Sequence, residues 1–123
     1  MKNSSAAPIL CDLDGVVWLS HEPIAGSVEA IAALREAGHR VLFVTNNSFA
    51  KVADQEKTLE SIGITAKGDV LTSSGAAATL LKSGQRVLVA GGPGVVEAVE
   101  SVGAIVAGRT DDGSSQEAQK ISD

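Results

Sequence analysis

Two aspartates follow a short apolar run near the start of the chain. The stretch PILCDLDGVVW places Asp12 and Asp14 two residues apart, with Gly15 directly after them. Two carboxylates about 5 Å apart repel each other by roughly 3 kcal/mol at an effective dielectric constant of 20, so the pair needs a partner. A hard divalent cation such as Mg²⁺ accepts such oxygen ligands, or one carboxyl group keeps a proton and acts as a general acid. Both explanations can apply together.

A second polar cluster, TNNS, ends the next apolar run, RVLFVT. Thr45 offers a hydroxyl group, and the peptide N–H groups of Asn46 and Asn47 precede a helical segment, where anions are favoured. The distance along the chain from Asp12 to Thr45 matches one βαβ unit of about 30 residues, so the two strand ends are expected side by side. A metal-binding side next to an anion-binding side suits a phosphoryl group.

These residue types predict a phosphoryl-transfer mechanism. Asp12 would attack phosphorus and form an aspartyl-phosphate, and Asp14 would protonate the leaving oxygen and then deprotonate the attacking water. Mg²⁺ would offset the repulsion between the nucleophile and the phosphate. Gly15 would let the chain turn away without a side chain in the substrate's path.

Alternating strand and helix patterns must position these residues. Ser27 is expected to cap the first helix, Gly38 and Gly63 to end the first two helices, and Pro93 to start the last one. The order indicates an α/β fold with a Rossmann-like, doubly wound parallel sheet. Strands are predicted at 9–13, 40–45, 69–73, 86–92 and 104–107, and helices at 27–38, 51–63, 74–84 and 93–103.

Composition narrows the function classes. The net charge of −5, without a Lys/Arg cluster, argues against a nucleic-acid partner. No apolar run approaches the ~18 residues of a membrane span, and aspartates interrupt the only apolar stretch near the N-terminus, which argues against a membrane partner and a signal peptide. The single cysteine, Cys11, cannot form an internal disulfide and is interpreted as a small buried hydrophobe. A cytoplasmic location is therefore expected.

The segments DLDGVV and TNNS resemble motifs one and two of the haloacid dehalogenase superfamily of phosphatases. The resemblance is closest to class IIA, with a large α/β cap, which includes p-nitrophenyl-phosphatase-like, pyridoxal phosphate and phosphoglycolate phosphatases. It implies that Asp12 is the nucleophile, Asp14 the acid/base and Thr45 a phosphate ligand. It also implies that Mg²⁺ binds the Asp12 carboxylate and the Asp14 main-chain carbonyl, and that the substrate is a small phosphorylated metabolite.

The resemblance extends over roughly residues 8–106 and implies a division of the chain. DVLTSSGAAATLL also resembles class IIA, and RVLVAGGPGVVEAVESVGA resembles the opening of its cap. Residues 1–83 are therefore expected to form the first half of the catalytic core and 84–107 the start of the cap. The polar tail, 108–123, is expected to be disordered.

Two family motifs that follow the cap, a lysine and an acidic Gly-Asp pattern, do not match this chain. Lys82 and Lys120 are more typical of surface lysines, and Asp111 and Asp112 of a solvated tail. The chain thus resembles an N-terminal fragment of a larger phosphatase. Two alternatives stay open: a non-catalytic phosphate- or nucleotide-binding half-domain, and a chain that needs a partner supplying the missing motifs. A homo-oligomer is compatible with each of these interpretations.

Several other residues receive structural interpretations. Trp18 is expected to pack a flap over the site, and Ser48 is expected to cap the second helix. Asn46 and Asn47 are also compatible with a tight turn. His21 and His39 are expected at the surface.

The GGPG segment resembles a dinucleotide loop only in part. Gly92 and Gly94 fit its first two positions, but Glu97 occupies the third and would repel a pyrophosphate. A strand-to-helix turn is therefore predicted for it.

Overall fold

The computed structural model describes residues 6–110 of the chain. These residues divide into two compact units. The first unit comprises 6–45 and 52–71, and the second comprises 46–51 and 72–110. The boundary predicted between residues 83 and 84 stays a prediction. The tail residues Asp111, Asp112 and Lys120 lie outside the described residues.

A small sheet and two helices form the first unit. The strands β1, β4 and β5 make one sheet in that order, and β1 runs parallel to β4 with Ile9 opposite Val41 and Asp12 opposite Val44. The order of elements along the chain is β1 (Ile9–Asp12), β2 (Trp18–Leu19), β3 (Glu22–Pro23), α1 (Ser27–Glu36), β4 (Val41–Thr45), α2 (Val52–Ser61) and β5 (Val70–Thr72), whose last residue is assigned to the second unit.

The two faces of this sheet differ in burial. Phe43 and Val70 are buried in one cluster with Ile31 of α1 and Leu59 of α2. The alternate positions are apolar but exposed: Leu10 is 68% and Leu71 46% exposed. Because successive side chains point to opposite faces of a strand, the helices α1 and α2 contribute to the core on one face only.

The predicted ends of the first two helices are confirmed, but the predicted cap of α1 is wrong. Gly38 (φ 96°) and Gly63 (φ 98°) follow the helices in the left-handed conformation that favours glycine. The N-cap of α1 is Gly26, and no side chain caps it. The Ser27 hydroxyl instead donates a hydrogen bond of 2.9 Å to the Val17 carbonyl, so a tertiary contact replaces the local one.

The sequence patterns did not predict the β2–β3 hairpin. Trp18 pairs with Pro23 across two antiparallel strands of two residues each. Ser20 (φ 49°) and His21 (φ 66°) form the loop, a conformation that usually calls for glycine or asparagine. Without those residues the turn carries no recognisable sequence signal.

The second unit has its own parallel sheet and core. The strands β6 and β7 pair with each other, with a register shift between Val87 and Leu88, and Val89, Val99 and Ala104 are buried. The α/β class and the parallel pairing are confirmed, and β6 and β7 form a sheet separate from that of β1, β4 and β5. The elements are α3 (Ser73–Ala78), β6 (Arg86–Val89), α4 (Pro93–Ser101) and β7 (Ile105–Arg109).

Two element ends differ from the prediction. The helix α3 stops at Ala78, before the predicted end at 84, and Leu80 beyond it is 83% exposed. The strand β7 continues to Arg109, past the predicted start of the tail, because Arg109 pairs with Val89. Within residues 6–110, no helix combines the length and the apolarity that crossing a membrane requires.

Candidate active site

The pairing of β1 with β4 brings the first two predicted site elements to adjoining strand ends. Asp12 lies opposite Val44, so Thr45 is one residue beyond it on the neighbouring strand. Asp12 is exposed, whereas Thr45 is 2% exposed. Thr45 lies two residues after Phe43 on β4 and is buried like it. The proximity inferred from the βαβ spacing is confirmed for the strand ends. The role of the Thr45 hydroxyl as a phosphate ligand stays a prediction.

The Asp12 carboxylate is oriented by the backbone that follows it. Its Oδ1 accepts a hydrogen bond of 2.9 Å from the Leu13 N–H. Leu13 is completely buried, so the donor is fixed in the core of the first unit. An exposed carboxylate held by a rigid amide is suited to a nucleophile, since its direction is set before a substrate arrives.

The neighbouring thiol does not compete as a nucleophile. Burial raises the pKa of Cys11 above 9.0, and the negative charge of Asp12 raises it further. The thiol therefore stays protonated at neutral pH. It is unreactive there, because only the thiolate is a nucleophile. Cys11 packs against the core cluster of the first unit but is half-buried, so its interpretation as a small buried hydrophobe is only partly right.

The Asp14 carboxylate contacts the indole ring of Trp18. The Trp18 Nε1–H donates a hydrogen bond of 3.0 Å to Asp14 Oδ1, and Trp18 is 1% exposed. Gly15 lies in the turn between them with a φ of 86°, and its N–H donates to the Trp18 carbonyl at 2.8 Å. The prediction for Trp18 included packing but not this contact. The four-residue spacing alone could not reveal it, because the segment is not a helix.

The predicted metal ligands match a hard cation in chemistry but do not complete its shell. Asp12 and Asp14 offer carboxylate and carbonyl oxygens, the donors that Mg²⁺ prefers. In the part of the chain that the structure describes, no group of three or more His, Cys, Asp or Glu side chains could hold a metal ion. Asp12 and Asp14 therefore fit a cation as part of a larger shell, completed by water, substrate or other protein groups.

Asn46 and Asn47 belong to the second unit. Asn47 Oδ1 accepts hydrogen bonds from Phe49 N–H at 2.9 Å and Ala50 N–H at 3.2 Å, which is a turn of the kind asparagine favours. Asn46 is exposed. Phosphate binding by the peptide N–H groups of Asn46 and Asn47 stays a prediction.

The cap predicted at Ser48 is wrong. The helix α2 begins four residues later, at Val52, and the Ser48 carbonyl accepts a hydrogen bond of 2.9 Å from Gly92 N–H. The backbone of this segment is thus used for packing within the second unit, where the sequence suggested a helix start.

The GGPG segment forms the close turn that was predicted. Gly94 N–H donates to the Phe49 carbonyl at 2.9 Å, beside the bond from Gly92 to Ser48. A Cβ atom on Gly92 would lie 2.6 Å from Phe49 Cα, and one on Gly94 would collide with the Ala50 carbonyl oxygen. Both glycines are required because two backbone segments meet, which explains the motif without a nucleotide.

The remaining predicted residues have ordinary surroundings. Lys82 is exposed, as a surface lysine should be. His21 is exposed. Its ring packs against the Trp18 ring in a tilted arrangement, with 5.3 Å between the ring centroids and an interplanar angle of 56°. His39 is half-buried, so its expected surface position is only partly right, and its Nδ1 lies 2.8 Å from the Ala7 carbonyl.

Comparison with known proteins gives a consistent result. A family model described as haloacid dehalogenase-like hydrolase matches residues 9–105. Phosphoglycolate phosphatase 2 of Arabidopsis thaliana is 34% identical over 116 residues, which are 89% of this chain and 38% of that protein. D-glycerol 3-phosphate phosphatase of Mycobacterium tuberculosis is 38% identical over 100 residues, which are 77% of this chain and 28% of that protein.

A solved structure supports the same assignment. The glycerol phosphate phosphatase of Mycobacterium tuberculosis in complex with magnesium resembles this chain with a TM-score of 0.71 and 34% identity, over 82% of this chain and 31% of that one. The chain thus spans about a third of the length of the relatives it matches. Since the family match includes Asp12, Asp14 and Thr45 and most of both units, the chain belongs to the haloacid dehalogenase-like hydrolases, in their class IIA branch.

Proposed function

We propose that this chain carries the nucleophile and the acid/base of a phosphatase that acts on small phosphorylated metabolites. The observation that supports it most is the parallel pairing of β1 with β4. That pairing sets Asp12 beside the end of the strand that carries Thr45, and Asp14 follows Asp12 two residues later in the sequence. In open parallel sheets the carboxyl ends of the strands are where ligands bind.

The proposed reaction has two steps. In the first, a carboxylate oxygen of Asp12 attacks phosphorus, the ester P–O bond breaks, and the Asp14 carboxyl group gives its proton to the leaving oxygen. In the second, the Asp14 carboxylate takes a proton from water, whose oxygen attacks phosphorus and breaks the bond to Asp12. Inorganic phosphate leaves, and both side chains return to their starting states.

A divalent cation is proposed as the cofactor, and Mg²⁺ is the preferred candidate. The Asp12 carboxylate and the Asp14 main-chain carbonyl would hold it, and all of these donors are hard oxygens. When bound, the cation supplies positive charge that offsets the repulsion between the nucleophile and the phosphate. Magnesium in the solved relative supports this choice.

The relatives' names support the proposed substrate class. They act on phosphoglycolate and on glycerol 3-phosphate, both small monoesters with a poor alkoxide leaving group. General-acid help matters most for such substrates, since the leaving oxygen must be protonated as the bond breaks. That requirement agrees with the presence of Asp14 two residues after Asp12.

A second candidate is a phosphate-binding half-domain without turnover. The observation in its favour is that residues 6–110 hold no cluster of three metal-binding side chains. Such a domain would bind phosphate equally well when Asp12 is replaced by asparagine.

The test is hydrolysis of p-nitrophenyl phosphate by the purified 123-residue chain, with and without Mg²⁺. Asp12→Asn is expected to abolish turnover, and Asp54→Asn, at an exposed acid in the first turn of α2, serves as the matched control. Turnover that depends on Mg²⁺ and disappears only in Asp12→Asn supports the phosphatase. Folded protein without turnover, whose phosphate binding is unchanged in Asp12→Asn, supports the half-domain.

A further inference from the structure

We propose that Trp18 is a positioning residue for Asp14. Its indole N–H holds Asp14 Oδ1 and thereby leaves Oδ2 as the oxygen that gives and takes the catalytic proton. The part of this inference that concerns proton transfer rests on the proposed phosphatase function. The part that concerns the contact between the two side chains does not.

The indole ring is fixed on several sides. Trp18 is 1% exposed and belongs to the core cluster of the first unit. Its carbonyl accepts from Gly15 N–H at 2.8 Å, its backbone pairs with Pro23, and the His21 ring lies 5.3 Å from its own. A donor with so little freedom can set the direction of a carboxylate that is itself exposed.

The chemistry of indole decides which oxygen stays available. Trp18 Nε1–H is a donor only, so Asp14 Oδ1 accepts this bond whether the carboxyl group is charged or neutral. Because a carbonyl oxygen accepts a hydrogen bond better than a hydroxyl oxygen does, this bond favours the neutral form that carries its acidic proton on Oδ2. When the leaving oxygen takes that proton, Oδ1 keeps its bond to the indole and the carboxylate does not rotate before it receives a proton from water.

Replacing the indole N–H of Trp18 should therefore leave the Asp14 carboxyl group in place but less well oriented. Hydrogen bonds to charged groups are among the stronger ones in proteins, so we expect the loss of this bond to lower the rate roughly tenfold, which corresponds to about 1.4 kcal/mol. The loss of rate should depend on the leaving group. An alkoxide must be protonated by Asp14 as it leaves, whereas p-nitrophenolate is stable enough to leave with little help from the acid. A purely structural defect would lower both reactions by the same factor.

The contact can be tested without any activity. The chain contains one tryptophan, so a ¹⁵N-labelled sample gives one indole N–H resonance. We expect Asp14→Ala to shift this resonance and to speed its exchange with solvent, while Asp54→Ala leaves it unchanged. An indole resonance that ignores Asp14→Ala in folded protein would overturn the proposal.

The positioning role is tested by replacing the N–H. Incorporating β-(3-benzothienyl)alanine for the single tryptophan removes the N–H and keeps the ring size, and Trp18→Phe is the genetic counterpart. We expect kcat/KM for glycerol 3-phosphate to fall roughly tenfold more than kcat/KM for p-nitrophenyl phosphate, at the energy of one such hydrogen bond. Ile31→Val, which trims the same core, should lower both equally.

Equal losses with both esters in the tryptophan variants would overturn the positioning role. If the unsubstituted chain hydrolyses neither ester, the proposed function fails for this chain. The indole resonance then still upholds or overturns the contact between Trp18 and Asp14, so the two failures are distinguishable.

Discussion

Gly15 in the first unit and Gly94 in the second are required for opposite reasons. Gly15 has a φ of 86°, and a Cβ atom added to it would meet nothing within 4 Å. At Gly94, which lacks a positive φ, an added Cβ atom would collide with the Ala50 carbonyl oxygen. The first glycine turns the chain between Asp14 and Trp18, and the second lets two backbone segments touch. The candidate chemistry therefore depends on a turn, and the second unit on close packing.

Among the substitutions considered, Gly94→Ala should destabilise the protein most. The substitution forces a methyl group into backbone, and overpacking of this kind costs about 3 kcal/mol at the upper end of its usual range. We expect the midpoint of urea unfolding, followed by circular dichroism, to fall accordingly. Gly68→Ala is the comparison without a clash: its surroundings are open, so only its left-handed backbone (φ 81°) penalises the methyl group, by about 1–2 kcal/mol. A Gly94→Ala variant with unchanged stability would contradict the close approach.

Gly15→Ala should cost less than Gly94→Ala. The left-handed conformation penalises a residue with a Cβ atom by about 1–2 kcal/mol, and no clash adds to it. Gly15→Asn should recover part of the loss, because asparagine tolerates this conformation. Urea unfolding followed by Trp18 fluorescence measures both variants. Equal stabilities of the alanine and asparagine variants would argue against backbone strain as the cause.

The β2–β3 hairpin offers a smaller effect of opposite sign. Ser20 and His21 occupy the left-handed region without being glycine. Ser20→Gly should relieve about 1–2 kcal/mol of left-handed strain and cost about 0.5–1 kcal/mol in conformational entropy, which leaves a net stabilisation of about 0.5–1 kcal/mol. His21→Gly should gain less, since it also removes the ring contact with Trp18. Thermal unfolding of both variants checks the order, and a larger gain for His21→Gly would reverse the interpretation.

The smallest effect concerns the Cys11 thiol. Its pKa in the folded state lies above 9.0 because of burial and the nearby Asp12 charge. The thiol therefore contributes stability that is complete below pH 9.0 and is lost as the pH rises through the folded pKa. We expect the stability difference between the unsubstituted chain and Cys11→Ala to decline above that pH in urea titrations. A pH-independent difference would show that the thiol does not titrate differently in the folded state.

The same raised pKa makes a kinetic prediction. Iodoacetamide should alkylate Cys11 more slowly in the folded chain than in urea at neutral pH, since only the thiolate reacts. Equal rates would contradict the burial of the thiol.

Much of the fold was predictable because its signals are local. The apolar runs that became β1 and β4, the glycines after α1 and α2, and the proline that begins α4 all depend on the preferences of single residues or short repeats. The same reasoning placed Asp12 near Thr45 through the length of one βαβ unit. Parallel pairing with Asp12 opposite Val44 confirmed that proximity.

The wrong cap prediction at Ser27 has a different cause. Ser27 carries a cap residue's side chain, but its hydroxyl reaches the Val17 carbonyl ten positions earlier. A local preference of about 1 kcal/mol is easily overridden when a distant partner lies within reach.

The residue types and their spacing are sufficient to indicate the reactive groups: two carboxylates, a hydroxyl group and hard oxygen ligands at the ends of strands. They also indicate an α/β chain of the haloacid dehalogenase-like hydrolases. The position of the Asp14 carboxylate, in contrast, depends on the tertiary structure. The contact of Asp14 Oδ1 with a buried indole depends on a turn at Gly15, on a two-residue hairpin and on a core that fixes the Trp18 ring. No residue preference encodes such a contact, because it exists only after the core has formed around the ring.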